Sequence, residues 1–272
     1  MSNRIKRILV LCLALATIFS AVPFGAVAAT DWVPANVKSA VFDANYYAAN
    51  NKDVVNALGT STSALYNHFL QFGAKEGRQG SPIFHSKYYL TNNGDLKSAF
   101  GTNYVNGINH FGSYGYNEPN RKVAKIENLG DSFEAQIKAS NSKVIGLSGA
   151  ETALVTSSSD EAQIWIFTLN SDGTYTIKNK STGKVLDVYA ASTSSGTKIH
   201  TYDGNGSNAQ KWYIFKYSTG KYIIRSKCAP ICVMTTSSTK LVSSTYTGAS
   251  SQIFTLVECE STAPEVTPDP TP

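Results

Sequence analysis

Two histidine–glutamate pairs stand out by residue type. His68 with Glu76 and His110 with Glu118 share one internal spacing, and the pairs lie 42 residues apart. An imidazole and a carboxylate can share a metal ion or pass a proton. Their separation, however, matches neither the close helical histidines of zinc hydrolases nor a cysteine-rich metal site. The chain also holds no G-x-S-x-G or H-E-x-x-H run on which nucleophilic or metal-assisted hydrolysis could be built. A residue that recurs in each copy of a repeat serves the fold of that copy. Both pairs therefore read as structural. No catalytic residue, metal or cofactor is expected, and the chain does not read as an enzyme.

A glutamine two residues before an aromatic also recurs: "QIW" at Gln163, "QKW" at Gln210 and "QIF" at Gln252. The amide can bind a ligand or lock a loop, and the ring can stack on a ligand or fill a core. Strand alternation would put Gln210 and Trp212 on one face. The elements that carry these pairs decide between the two uses.

The first elements are helical and duplicated. "FDANYY" from Phe42 is answered by "FHSKYY" from Phe84, and "YNHFLQFGAKEGR" by "INHFGSYGYNEPNR". A period near 42 residues marks supersecondary units that bury a shared face by stacking. Asp43 is placed as an N-cap, with Phe42 and Tyr47 as its hydrophobic staple. Gly59 ends a second helix. Ser61 or Ser63 caps a third, whose face carries Leu65, Phe69 and Leu70 and whose stop is Gly73. The pattern resembles a tandem repeat of secreted bacterial proteins, with His85 in the second copy where Asp43 stands in the first. Beyond it, short alternating runs such as "YTIKNK", "KIHTY" and "KYIIRS", parted by Ser, Thr and Gly, predict an all-β region.

Three spaced Q-x-aromatic pairs, with "YTIKNKSTGKVLDV" and "GTKIHTYDGNGSNAQKW" between two of them, resemble the ricin-type β-trefoil lectin domain. The fold class expected is two domains: all-α short-helix repeats over 40–125, then an all-β trefoil of twelve strands over 130–260. The resemblance implies that Trp165, Trp212 and Phe254 meet near a pseudo-threefold axis. It makes Gln163, Gln210 and Gln252 scaffold before anything else.

The resemblance also implies where a sugar would sit. The aspartate of an "LDV" segment accepts hydroxyl hydrogen bonds and a strand aromatic stacks on the pyranose. The middle repeat keeps both, as Asp187 and Tyr202. His200 stands where the family often has Gln, and Asn208 and Gln210 lie near the rim. Ala209 occupies the place of the family's sugar-contacting Asn, with Asn208 one residue earlier. Gly146 and Val155 replace the two key residues in the first repeat, and Met234 and Ser244 in the third. At most one site is expected, with Asp187 facing solvent.

Residues 1–29 read as a secretory signal peptide: Arg4, Lys6 and Arg7, an apolar run, then small residues at Ala28 and Ala29. Without those three bases, the 24 basic residues fall to 21 against 19 acidic. So even a balance offers no stripe for nucleic acid, and no later run is apolar enough to span a membrane. Residues 261–272 are a Pro- and Thr-rich tail. Cys12 leaves with the signal. In a trefoil, Cys228 and Cys259 would lie at opposite ends of paired strands. Cys228 and Cys232 flank "API", read as a tight turn, and are expected to bond, leaving Cys259 free or joined to another chain. Together these readings describe a secreted or surface-associated glycan- or polysaccharide-binding protein. Its helical repeats would contact a cell-surface or cell-wall partner. The alternative is a structural or adhesive protein whose trefoil is a ligand-free scaffold.

Overall fold

The computed structural model describes residues 29–149 and 151–259. The expected signal peptide and tail lie outside these residues, apart from Ala29. Helices α1 (Lys38–Val41), α2 (Ala44–Asn50), α3 (Lys52–Leu58), α4 (Thr62–His68), α5 (Ser86–Asn92), α6 (Gly94–Phe100) and α7 (Tyr104–Ser113) make up the N-terminal part. Among the described residues no helix is long and apolar enough to cross a membrane.

Several features of α2–α4 return in α5–α7. Asp43 caps α2, its Oδ1 accepting the N–H groups of Asn45 at 2.9 Å and Tyr46 at 3.0 Å. The ring of Phe42 packs 5.3 Å from that of Tyr47, as the staple requires. Buried Tyr47 bonds through Oη to His68 Nδ1 at 2.9 Å, and Tyr89 repeats this with His110 at 2.9 Å. Glu76 is occupied elsewhere, bonded to Arg78 at 2.6 Å, and Glu118 to Arg121 at 2.7 Å. The histidine and glutamate of each pair thus have separate partners. His85, which replaces the capping aspartate, makes no cap; its Nε2 meets Gly77 O at 2.9 Å and ties the second unit to the first.

Two helix-end expectations need correction. Ser61 holds the N-cap position of α4, but its hydroxyl bonds to Ser63 instead of a backbone N–H. Gly73 closes the helical run, but not as a left-handed glycine: α4 widens into one π turn, Phe69–Gly73, a turn follows over 74–77, and the left-handed residue comes only at Gly77 (φ 72°). Gly73 is needed for a different reason: a β-carbon there would collide with the Tyr47 hydroxyl, as one at Gly115 would with Tyr89.

Twelve strands follow among the described residues: β1 (Ser132–Lys138), β2 (Val144–Ser148), β3 (Glu151–Val155), β4 (Trp165–Leu169), β5 (Tyr175–Asn179), β6 (Val185–Val188), β7 (Thr197–Tyr202), β8 (Trp212–Ser218), β9 (Lys221–Ser226), β10 (Cys232–Ser237), β11 (Lys240–Thr245) and β12 (Thr255–Glu258). All pairings are antiparallel. Strand β1 pairs with β4 and β12, β4 with β5, β5 with β8, and β8 with β9. The bridge Tyr222–Phe254 closes the ring of six. Hairpins β2–β3, β6–β7 and β10–β11 form the remaining set. This is a trefoil-like fold, with no helix longer than one short 3-10 turn among the described residues between Ser132 and Cys259.

The two parts share apolar packing. Phe215, Ile223, Val233 and Tyr246 of the trefoil lie in one cluster with Tyr47, Phe69, Tyr89 and Phe111 of the helices. Tyr246 Oη donates to Asp43 Oδ2 at 2.5 Å, so one carboxylate caps a helix and anchors a strand region 203 residues away. Burial, and then the charge of Asp43, push the Tyr246 hydroxyl far above its ordinary pKa.

The Cys228–Cys232 disulfide is absent, and Cys228, Cys232 and Cys259 are all free thiols. The segment between Cys228 and Cys232 is no hairpin. Strand β9 pairs with β8 and β10 with β11, so the chain passes from ring to hairpin without folding back on itself. Cys228 Sγ lies 3.2 Å from Ser226 Oγ, and Cys232 Sγ turns to Thr193 O at 3.6 Å.

Two predictions follow from the helical units. Gly73→Ala or Gly115→Ala should cost about 1–3 kcal/mol in urea unfolding through overpacking. Gly94→Ala, at a helix start with open space around it, should be tolerated. The second concerns pH. Burial depresses the pKa of His68, with Arg78 adding to the effect, and burial likewise depresses His85 and His110. Folding therefore favours the neutral rings, and the unfolded chain binds more protons. Stability from these groups is complete above their ordinary pKa of about 6.5 and is lost as pH falls below it. The melting temperature should drop between pH 7 and 5, with a shallower drop in His68→Gln; parallel curves for the two proteins would refute the assignment.

Candidate functional site

The Gln–aromatic pairs resolve into one device built three times. Each glutamine ends a 3-10 turn, Glu161–Gln163, Asn208–Gln210 or Ser250–Gln252, just ahead of the ring. The glutamine therefore does not share a strand face with its aromatic. Each amide nitrogen donates to the carbonyl seven residues back: Thr156, Asp203 and Thr245, at 3.0, 2.9 and 2.9 Å. Each amide oxygen accepts the N–H five residues back: Ser158, Asn205 and Thr247, all at 2.8 Å. Trp165, Trp212 and Phe254 are buried in one core. The indole N–H groups find Ile145 O at 2.8 Å and Leu186 O at 3.1 Å. The amide closes a loop and the ring fills the centre.

One loop closed in this way borders an open depression of about 460 Å³, lined by Asp187, Tyr189, His200, Tyr202, Asn205 and Ser207. Asp187 and His200 are directly opposite in the β6–β7 ladder, and Asp187 Oδ1 meets His200 Nε2 at 3.2 Å. The expectation that Asp187 points freely to solvent fails. The residue is 6% exposed, because the hairpin pairing covers it and His200 holds one oxygen. Tyr202 is 51% exposed and Tyr189 55%. Their rings flank the imidazole, Tyr202 stacked at 5.9 Å and 28°, Tyr189 edge-on at 5.5 Å and 67°. A carboxylate at the floor with two open ring faces beside it can accept hydroxyl hydrogen bonds and cover the apolar face of a flat, hydroxylated ligand.

Two residues expected at the rim stand elsewhere. Gln210 is buried, its amide committed to the loop. Asn208 is exposed but does not line the depression; its carbonyl serves Cys228 N and Ser226 Oγ. Their places are taken by Asn205 and Ser207. Tyr189 was not foreseen at all. Strand β6 gives way to β7 across eight residues, whereas two suffice in each of the other hairpins. The longer connection starts with a 3-10 turn, Tyr189–Ala191, in which Ala190 (φ 54°) and Ala191 (φ 50°) are left-handed. The signal was present as the extra length of "YAASTSSG" between strand patterns.

The other hairpins have no such floor. Gly146 faces Ala153, and a β-carbon there would press on Val155 and Gln163, so the first hairpin has no room for a carboxylate. Met234 faces Ser243, and both are buried. Ser244 and Thr245, which end that ladder, offer no ring.

The family description "Ricin-type beta-trefoil lectin domain-like" matches residues 122–202 and 161–248. A designed threefold-symmetric protein, ThreeFoil, is similar at 22% identity over 46% of this chain and 99% of its own, with a TM-score of 0.44. An exo-β-1,3-galactanase from Clostridium thermocellum is similar at 20% over 50% of this chain and 32% of its own, TM-score 0.44. A ricin B-like lectin from Macrolepiota procera, solved with lactose, is similar at 15% over 49% of this chain and 100% of its own, TM-score 0.42. Among curated proteins no sequence matches.

Gln210→Ala should strand the N–H groups of Asn205 and Gly206 and the carbonyl of Asp203, costing about 1–3 kcal/mol. Asn208→Ala, which removes an exposed side chain, should stay within about 0.5 kcal/mol. Chemical denaturation of the two variants checks the contrast.

Proposed function

We propose that the protein is a secreted carbohydrate-binding protein and that the β6–β7 depression is its one working sugar site. A single observation carries the reading: the Asp187–His200 pair forms a floor between the exposed faces of Tyr202 and Tyr189. The match of residues 122–248 to a lectin-domain family supports it. The carboxylate accepts sugar hydroxyls, the two rings cover the sugar's C–H face, and Asn205 and Ser207 contact its edge. Secretion rests on the N-terminal sequence, and binding without catalysis on the lack of any motif for hydrolysis.

A shallow, solvent-open depression of this kind gives an affinity in the millimolar range, about −4 kcal/mol. Retention on a surface then needs polyvalent display of the glycan or of the protein. The helical repeats supply a second attachment, to a cell-surface or cell-wall partner.

A glycan array with the full-length protein, followed by titration of the best ligand, tests this. Tyr202→Ala should weaken binding about tenfold through loss of the stacking face. Asp187→Asn, which keeps the shape of the buried side chain, should weaken it about ten- to a hundredfold, since hydrogen bonds to a charged group contribute about 1.5–3 kcal/mol. Met234→Leu should leave binding unchanged. An array empty for the wild-type chain, or full binding by Asp187→Asn, would leave the trefoil a ligand-free scaffold.

A further inference from the structure

A second cavity, of about 350 Å³, lies where the helical repeats meet the trefoil, and it borders an unusual cation. Arg225 of β9 stands opposite Tyr213 of β8 and is only 4% exposed. Its guanidinium sits 5.0 Å from the ring of Tyr213 and 5.1 Å from that of Phe215. Its one hydrogen bond among the described residues runs from Nη1 to Pro230 O at 2.7 Å. Nε has no acceptor there, and no described carboxylate forms an ion pair with the group. Burial lowers its pKa to about 10, which still leaves a full positive charge at neutral pH. A buried charge without a partner is costly. Two aromatic rings offset part of that cost but cannot serve the in-plane N–H donors.

The remaining charges of the wall do not balance this one. Arg121 is matched by Asp95 and Glu118, both at 2.7 Å, and Lys227 by Asp172 at 2.9 Å. Burial opposes ionisation of Asp172, but hydrogen bonds from Thr174 and Lys227 outweigh it and hold the carboxyl at about 2. Lys122, also on the wall, has no carboxylate within ion-pair distance among the described residues. Two cations facing one cavity are therefore unanswered.

We propose that this cavity is a binding site for a small organic carboxylate, its two oxygens meeting the Nη1–Nη2 edge of Arg225 and its body resting among the Tyr88 and Tyr213 side chains. The planar donor edge matches a carboxylate in shape. The ionised Asp172 on the same wall disfavours a more highly charged anion such as phosphate. The volume lies at the lower end of small-molecule sites. The site is separate from the β6–β7 depression and does not depend on the reading given for it.

Calorimetric titration of the full-length protein at low ionic strength tests the proposal, with sodium glucuronate, sodium benzoate and inorganic phosphate as probes. At least one carboxylate should bind saturably and more tightly than phosphate. Preference for glucuronate would mark the ligand as a sugar acid, and preference for benzoate as an aromatic acid. Arg225→Met, which fills the buried space with an uncharged chain, should weaken that binding at least tenfold. Lys122→Gln, an exposed change with little bearing on folding, should weaken it severalfold and keeps the test open should Arg225→Met fail to fold. Tyr202→Ala should not affect it. Absence of saturable binding by both carboxylates, phosphate binding as tight as theirs, or undiminished binding in Lys122→Gln would each overturn the proposal.

Discussion

Three buried glutamine amides, each closing a loop ahead of a buried aromatic, hold the C-terminal half together. Gln163, Gln210 and Gln252 lie in an interior where an amide without partners is costly, so each must find its hydrogen bonds at a fixed reach along its own chain. The loop that supplies those bonds is thereby fixed relative to the strand that follows. Trp165, Trp212 and Phe254 then enter one core from three sides. The Gln210 loop carries Asn205 and Ser207 to the rim of the depression. The rim is thus positioned by the same bonds that stabilise the fold.

The same economy of buried polar groups runs through the helices. Tyr47 and Tyr89 are buried with hydroxyls that need partners, and His68 and His110 provide them. Gly73 and Gly115 leave those hydroxyls the space they occupy. Asp43 caps α2 and receives the hydroxyl of Tyr246, joining two halves that also share apolar packing. Against this background Arg225 Nε and Ser243 Oγ are the exceptions among the described residues, and only Arg225 carries a charge. It is the buried cation whose hydrogen-bonding capacity the surrounding protein leaves unmet.

Only one of the three hairpins sets a carboxylate beside exposed aromatic rings, and the reasons are local. In the first, Gly146 is pressed by Val155 and Gln163. In the third, Met234 packs into the core. In the second, a largely buried Asp–His pair lies at the floor of an open depression, and a longer connection brings Tyr189 beside it. A pseudo-threefold scaffold can keep its core symmetric while its rim diverges, because the core residues answer to packing and the rim residues do not.

Much of this was legible in the chain alone. A helical N-terminal part and an all-β region follow from period and spacing, which encode which residues share a face; the scaffold role of the glutamines and the placing of Asp187 and Tyr202 in one repeat come from the resemblance to the lectin domain. What the spacing could not carry was direction and company. That Asp187 is covered by His200, that Asn208 turns away, and that Cys228 and Cys232 diverge depend on which strands pair. The cavity beside Arg225 depends on helices and strands distant in sequence packing against each other. Local pattern determined the elements and the repeated devices within them; only the tertiary structure decided the company of groups such as Asp43, whose partner Tyr246 lies 203 residues away.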